Sequence, residues 1–220
     1  MGKVTALCGI FLAFIASSSS ATIVGFSAGG TGAPSSYTPL GGYAMTPFPL
    51  DGRPTWGALV GEVSSPIQGV VGFNQPLEHY LTPAEWATWS HGYTGDVYDT
   101  GTASNVALTL PAGTKAFYFY VEPTLYDYFD VIATANSGAA EIDHDVHGYG
   151  RALFYGFYAT GGDTITSITI STTPDADGMA IGEFGINQDI GDNAVPEPLT
   201  CLLFAGSVLL GLGRLRRRLS

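Results

Sequence analysis

The segment TITSITIS, residues 164–171, places Ile168 and Ile170 on one side of an extended chain and serine or threonine on the other. Side chains of a β-strand point alternately to the two faces of its sheet, so this pattern predicts a strand with one buried face. The segment VALTL, residues 106–110, repeats the alternation. Both segments therefore favour an antiparallel sheet that packs one face on a core.

Similar short runs recur from Trp56 onward, separated by turns rich in glycine and proline. The predicted strands are Ala58–Val63, Gly69–Phe73, Val106–Leu110, Ala116–Glu122, Phe129–Ala135, Leu153–Ala159, Thr164–Ser171 and Met179–Ile186. Short strands at intervals of about 8–12 residues are typical of a sandwich or barrel. We predict an all-β fold, an antiparallel β-sandwich of two sheets that is jelly-roll-like. A turn or two of helix is expected at residues 82–85, which have capping-box spacing.

The N-terminal end differs from this middle and is interpreted as a processing segment. Residues 1–21 contain one cation, a short apolar core and then small residues, a pattern typical of a signal peptide that is cleaved between Ala21 and Thr22. A retained membrane anchor is the alternative. It is less favoured because a membrane span needs about 20 apolar residues.

The C-terminal end combines a proline-containing strip, an apolar stretch and a basic cluster. A linker, residues 191–198, ends in the strip Val195, Pro196, Glu197 and Pro198. Residues 199–213 are uncharged and predict a short transmembrane helix, and the tail 214–220 carries Arg214, Arg216, Arg217 and Arg218. An arginine at the centre of a bilayer costs about 2.5–3.5 kcal/mol, so the basic cluster stays on the cytoplasmic side and the strip lies outside.

This order of motifs resembles the PEP-CTERM sorting signal of Gram-negative bacteria. The resemblance implies that an exosortase, a membrane protease-transpeptidase, cuts near the Pro-Glu-Pro motif after transient anchoring in the inner membrane. It also implies a place at the cell surface or in the extracellular matrix of a biofilm. A tail anchor that is never cut is the alternative.

The middle of the chain is similar to the ectodomains of many PEP-CTERM proteins over residues 56–187. The resemblance rests on the run WATWSHGYTGDVY, residues 86–98, together with the segments 116–123 and 181–186. No activity is established for that group. The resemblance therefore supports the fold and the class of protein rather than a mechanism.

The mature middle, residues 22–195, has three cations and eighteen acids, and thus a net charge of −15. A domain this acidic repels phosphate backbones, which excludes nucleic acid as a partner. Both cysteines, Cys8 and Cys201, lie in the ends, so packing or bound metal must stabilise the domain. Within the middle, residues 22–55 are predicted to be irregular, with one weak strand near 43–46, and residues 56–190 form the β-sandwich domain.

Two acidic groups are candidate cation ligands. Asp143, Asp145 and His147 would share one face of a strand, and Asp175 and Asp177 resemble part of a calcium loop. A solvated loop explains the first group and a tight turn explains the second. Calcium is therefore an open alternative, and no cofactor is required.

Aromatic residues are candidate sugar contacts. Trp86, Trp89 and Tyr93 lie near glycine turns and are expected to be exposed, where their rings would stack on saccharides. Along the run FYFY, residues 117–120, one face should be core and the other should expose tyrosines. The alternative is that most of these rings belong to the core.

Catalysis has little support in the sequence. The middle has no cysteine and no Gly-x-Ser-x-Gly nucleophile motif, so we predict that the protein is not an enzyme. We expect a non-enzymatic exported surface or extracellular-matrix protein, processed by signal peptidase and exosortase and associated with extracellular polysaccharide. A carbohydrate-binding module that uses exposed aromatics is the alternative, and a matrix-remodelling hydrolase is the less favoured one.

Overall fold

The computed structural model describes residues 22–28 and 39–190. Regular structure in this part of the chain consists of twelve β-strands and one 3-10 turn at Pro174–Ala176. The strands are β1 Thr22–Ala28, β2 Thr46–Pro47, β3 Ala58–Ser64, β4 Val70–Leu81, β5 Asp96–Asp99, β6 Asn105–Thr109, β7 Thr114–Pro123, β8 Tyr128–Ala135, β9 Ala140–His147, β10 Leu153–Thr160, β11 Ser167–Thr172 and β12 Met179–Gln188.

The predicted processing segments lie outside these residues, except for Thr22, which begins β1. Ala21, the linker and its strip Val195–Pro198, the predicted transmembrane stretch and the arginine cluster are not described by the structure. Among the described residues, no helix has the length and apolar character that a membrane crossing requires.

All strand pairings are antiparallel, which confirms the predicted all-β antiparallel class. The strands follow the order β1-β10-β7-β12-β5-β4-β6-β11-β8-β9, with β2 beside β12 and β3 beside β4. The sequence predicted two sheets, whereas the structure has one continuous 12-stranded sheet. The long strand β4 makes it continuous, because Glu78–Leu81 pair with β5 whereas Gly72 and Phe73 pair with β6.

The two end strands of the ladder, β1 and β9, pack against each other and nearly close a barrel. The Ser27 hydroxyl and the His144 ring are hydrogen bonded across this contact. A Cβ at Gly25 would lie 2.8 Å from the Ile142 side chain, so the close approach requires glycine there. The N-terminal segment that was predicted to be irregular thus contributes β1 to the sheet.

The interior of the sheet forms one large apolar cluster. Phe117, Phe119 and Val121 of β7 belong to it, as do Ile168 and Ile170 of β11, and all five side chains are fully buried. A buried side chain of this size contributes about 1.5–3 kcal/mol relative to an exposed one. The alternation seen in residues 164–171 therefore does identify a core strand.

A second apolar cluster covers the outer face of β7 and β10. Tyr118 and Tyr120 are buried there with Phe154, Leu40 and Met45. The expectation that one face of the FYFY run exposes tyrosines is wrong. Segment 39–45 lies over that face, and Trp89 also packs against the cluster.

The predicted helix at residues 82–85 is also wrong. The chain makes a turn there, in which the backbone N–H groups of Glu85 and Trp86 donate to the carbonyl oxygen of Leu81. The Glu85 carboxylate accepts a hydrogen bond from the Leu81 N–H at 2.9 Å and another from the Thr55 hydroxyl at 2.7 Å. Its side chain thus joins the turn to the segment before β3.

Candidate functional site

Two chain connections meet over the outer face of β7 and β12. Residues 82–95 connect β4 to β5, and residues 148–152 connect β9 to β10. Together they line a depression of about 550 Å³ with Trp89, Tyr93, Tyr149 and Arg151 on its walls. A neighbouring depression of about 210 Å³ is lined by Trp86, Glu122, Tyr126 and Tyr149. We call the surface formed by Trp86, Trp89, Tyr93, Tyr126, Tyr149 and Arg151 the aromatic cleft.

Glu122 of β7 joins both connections to the sheet and is fully buried. Its Oε2 accepts a hydrogen bond from Trp86 Nε1 at 2.8 Å, and its Oε1 accepts from Thr88 Oγ1 at 2.9 Å and from the Tyr149 N–H at 3.1 Å. Burial raises the pKa of this carboxyl to about 7, although the bonds from Trp86 and Thr88 oppose the shift. One buried acid therefore fixes the position of two loops.

Glu183 of β12 anchors the first of these connections, residues 82–95, at a second point. It lies in the bulge between Gly182 and Gly185, where β12 shifts register against β7. Its carboxyl oxygens accept hydrogen bonds from Trp89 Nε1 at 3.1 Å and pair with His91 Nε2 at 2.7 Å. Burial raises the Glu183 pKa to about 8, and burial lowers the pKa of His91.

The backbone around the cleft is held in unfavourable conformations. His91, Tyr149, Arg151 and Glu183 have φ values of 42°, 86°, 138° and 51°. A side chain in this region of φ costs about 1–3 kcal/mol and persists only where the surroundings impose it. The hydrogen bonds to Glu122 and Glu183 supply that constraint. Such clustering is typical of binding and catalytic sites.

The aromatic side chains differ in exposure. Trp86, Trp89 and Tyr93 are half-buried rather than exposed, because their rings lie against the sheet and both indole N–H groups point to buried acids. The more exposed rings are Tyr126 and Tyr149, at 70% and 54%, with ring centroids 4.4 Å apart and planes inclined by 50°. The structure thus brings the predicted residues into one cleft together with Tyr126, another aromatic candidate from the sequence, and adds Tyr149, which the sequence did not indicate.

The first group of acidic candidates lies on a strand, so the explanation as a solvated loop is wrong. Asp143, Asp145 and His147 share the outward face of β9, and Asp145 stands opposite Asp130 of β8. A hydrogen bond with Asp145, reinforced by the repulsion between the two charges, raises the pKa of Asp130. His147 packs edge-on against Tyr128 with ring centroids 4.7 Å apart.

The second group forms the tight turn that was the alternative to a calcium loop. Asp175 lies within the 3-10 turn, and Asp177 ends it in the left-handed conformation with φ of 54°. In residues 22–28 and 39–190, no group of three or more histidine, cysteine, aspartate or glutamate side chains is arranged to hold a metal ion.

A third depression, of about 430 Å³, adjoins the aromatic cleft. Tyr128, Asp145, His147 and Arg151 line it. Gly150 and Arg151 also line the 550 Å³ depression, so the two depressions meet at these residues. Aromatic rings, carboxylates and one guanidinium are therefore presented along a continuous surface.

A second buried network surrounds His79 and Asp96, and the Tyr93 hydroxyl of the cleft donates to the Asp96 carbonyl oxygen at 3.3 Å. His79 stacks on Tyr98 with ring centroids 5.1 Å apart, and its Nε2 lies 2.8 Å from Asp96 Oδ1. Its Nδ1 lies 2.9 Å from the carbonyl oxygen of Pro54, and the Asp51 N–H donates to Asp96 Oδ2 at 2.6 Å. These contacts tie segment 51–54 to β4 and β5, which is a structural role.

The chain matches no protein-family model and no curated protein sequence. The chemistry of the cleft is therefore interpreted from its own side chains. Exposed flat rings beside hydrogen-bonding groups form the arrangement that binds sugar rings, whose faces are apolar and whose edges carry hydroxyls.

Proposed function

We propose that this protein is a non-enzymatic surface or extracellular-matrix protein, exported and sorted by a C-terminal PEP-CTERM signal, that binds extracellular polysaccharide through the aromatic cleft. The observation that carries the binding proposal is the pair of exposed tyrosines, Tyr126 and Tyr149, beside half-buried indoles. Exposed aromatic rings that are grouped, rather than scattered singly, mark a binding surface.

The anchoring of the loops supports the same proposal. Glu122 and Glu183 hold the two connections in place before any ligand arrives. A surface that is ordered in advance loses less conformational entropy when it binds, which favours affinity for a weakly interacting ligand such as a sugar.

The same two acids are the pair that a hydrolase would need, and their contacts favour a different role. Glu122 is fully buried, and both of its oxygens accept hydrogen bonds from loop residues. Glu183 accepts from Trp89 and pairs with His91. Loop anchoring accounts for each of these contacts, so a non-enzymatic role has more support than the hydrolase alternative.

Binding is tested with the full chain on cellulose and on soluble glucans, by sedimentation and affinity electrophoresis. The double variant Tyr126→Ala/Tyr149→Ala should weaken binding about tenfold, since each stacking contact contributes about 0.5–1.5 kcal/mol. Trp56→Ala is the control, because Trp56 is 76% exposed but lines none of the three depressions. Wild type that binds no polysaccharide, or equal losses in both variants, would refute the proposal.

Sorting is tested separately in the native host. The mature mass of wild type should lack the residues that follow the Pro196-Glu197-Pro198 motif, and Glu197→Ala should retain them. A reporter fused just before Val195 should appear outside the cytosol. Retention of the tail in both proteins, or a cytosolic reporter, contradicts the sorting proposal and leaves the binding proposal intact.

A further inference from the structure

Arg151 differs from the other two cations among residues 22–28 and 39–190. Arg53 forms an ion pair with Asp51, and Lys115 donates to the carbonyl oxygens of Gly162 at 3.2 Å and Asp163 at 2.8 Å. Arg151 is exposed, and within the described part of the chain its guanidinium makes no ion pair. Among the described residues, the one cation without such a partner therefore lines both the 550 Å³ depression of the aromatic cleft and the 430 Å³ depression beside it.

The backbone at Arg151 does not favour a side chain. Its φ of 138° lies in a region that glycine adopts more readily than any other residue. Its backbone N–H is held by Glu122, a contact that any residue except proline could make. The fold thus needs the conformation at position 151 but not the arginine side chain, which leaves the guanidinium available to a ligand.

We infer that Arg151 determines specificity, and that the aromatic cleft prefers polysaccharides that carry a carboxylate. The inference rests on the proposed function. A guanidinium matches a carboxylate with two parallel hydrogen bonds, which a neutral side chain cannot do. Tyr149, two residues before Arg151, places an exposed ring where the sugar that bears the carboxylate would lie.

The negative charge of the rest of the domain further limits which carboxylated polysaccharides can bind. A net charge of −15 over residues 22–195 repels a polymer that is charged at every sugar. Screening reduces this repulsion beyond about 8 Å at physiological salt, whereas a direct guanidinium–carboxylate contact persists. The preferred ligand is therefore a sparsely carboxylated chain rather than a dense polyanion.

The test compares dextran with carboxymethyl dextran of low substitution, using the full chain and affinity electrophoresis. Wild type should bind the carboxylated polymer about tenfold more tightly than dextran. Arg151→Gln should remove this preference and keep the affinity for dextran. Lys115→Gln is the matched control, since it removes one positive charge far from the cleft lining and should keep the preference.

Arg151→Gly separates ligand binding from folding. Because glycine relieves the backbone at φ of 138°, this variant should raise the Tm by about 2–4 °C while it loses the preference for the carboxylated polymer. Loss of the preference together with a lowered Tm would indicate that the arginine supports the fold, and would overturn the inference.

The other possible binding results distinguish failure of the inference about Arg151 from failure of the proposed function. Equal affinity of wild type for the two polymers would overturn the role of Arg151 while binding at the cleft stands. Absence of binding to either polymer would instead refute the proposed function. Acetate at the same carboxylate concentration should not displace the polymer, and displacement by acetate would show that the rings contribute nothing to recognition.

Discussion

The strands fall into two groups whose outer faces differ. In β11, Ile168 and Ile170 are fully buried while Thr169 between them is exposed, and β6, β8 and β9 follow a similar alternation. In β7, every residue except Lys115 is buried, and β5, β10 and β12 are buried on both faces over most of their length. One group meets water directly, and the other lies beneath a layer of chain connections.

The covered group is where the functional chemistry lies. A sheet face that carries Tyr118, Tyr120 and Glu122 must be covered, since these side chains have no access to water there. The connections that cover it bring polar groups to the buried acids and leave their own aromatic rings partly exposed. A strand whose sequence does not alternate between apolar and polar residues therefore indicates that a second layer of chain covers its outer face. In this protein that layer also carries the candidate site.

The largest effect is expected on the free energy of unfolding, when outward side chains of the two groups of strands are removed. Tyr118→Ala should lower the free energy of unfolding by about 3–5 kcal/mol, as a core substitution does, because its ring is buried among Tyr120 and Phe154. Thr169→Ala on the bare face of β11 should change the same quantity by less than about 0.5 kcal/mol.

Urea unfolding of both variants measures the difference. Phe119→Ala, on the inner face of the same strand, should cost about as much as Tyr118→Ala, since both faces are equally buried. If Tyr118→Ala behaves like Thr169→Ala instead, the covering layer contributes little to stability and the distinction between the two groups fails.

The sequence predicted strands correctly where apolar residues alternate regularly along one face of the strand. Strands such as β6, β8 and β11 were located within one to three residues of their ends, because alternation alone defines them. Three strands were not predicted. The strand β9 has only Ile142 and Val146 as large apolar residues, four positions apart, and β5 has acids at both ends. The strand β1 lies in a segment whose glycine and proline content favoured irregular structure.

The candidate site was predicted only in part for a related reason. Trp86, Trp89 and Tyr93 were found because large rings near glycine turns are conspicuous in a sequence. Glu122 and Glu183 were two of eighteen acids, and nothing local marks them as buried. Their burial arises from the pairing of Glu122 with Ala180 and from the bulge in β12, which are properties of strand register rather than of local sequence.

A smaller effect is expected in the pH dependence of stability, because the buried acids with raised pKa values lie on the covered group of strands. Burial raises the pKa of Glu122 from 4.5 to about 7 and that of Glu183 to about 8, and it raises the pKa of Asp99 to about 7. The folded state thus holds these protons more tightly than the unfolded chain. The stabilisation they give is fully present below the ordinary pKa values, 3.8 for Asp99 and 4.5 for the two glutamates, and is lost as the pH rises toward 8.

The variant Glu122→Gln measures how much Glu122 contributes to this pH dependence of stability. One pKa unit corresponds to about 1.4 kcal/mol, so Glu122 alone should account for roughly 2–3 kcal/mol of the stability lost between pH 5 and pH 8. The variant should show a correspondingly flatter curve in urea unfolding at intervals of one pH unit. Glu141→Gln, on the exposed face of β9, is the control and should run parallel to wild type. Stability that rises over this range, or an unchanged slope in Glu122→Gln, would mean that the buried acids do not hold their protons as the covered face requires.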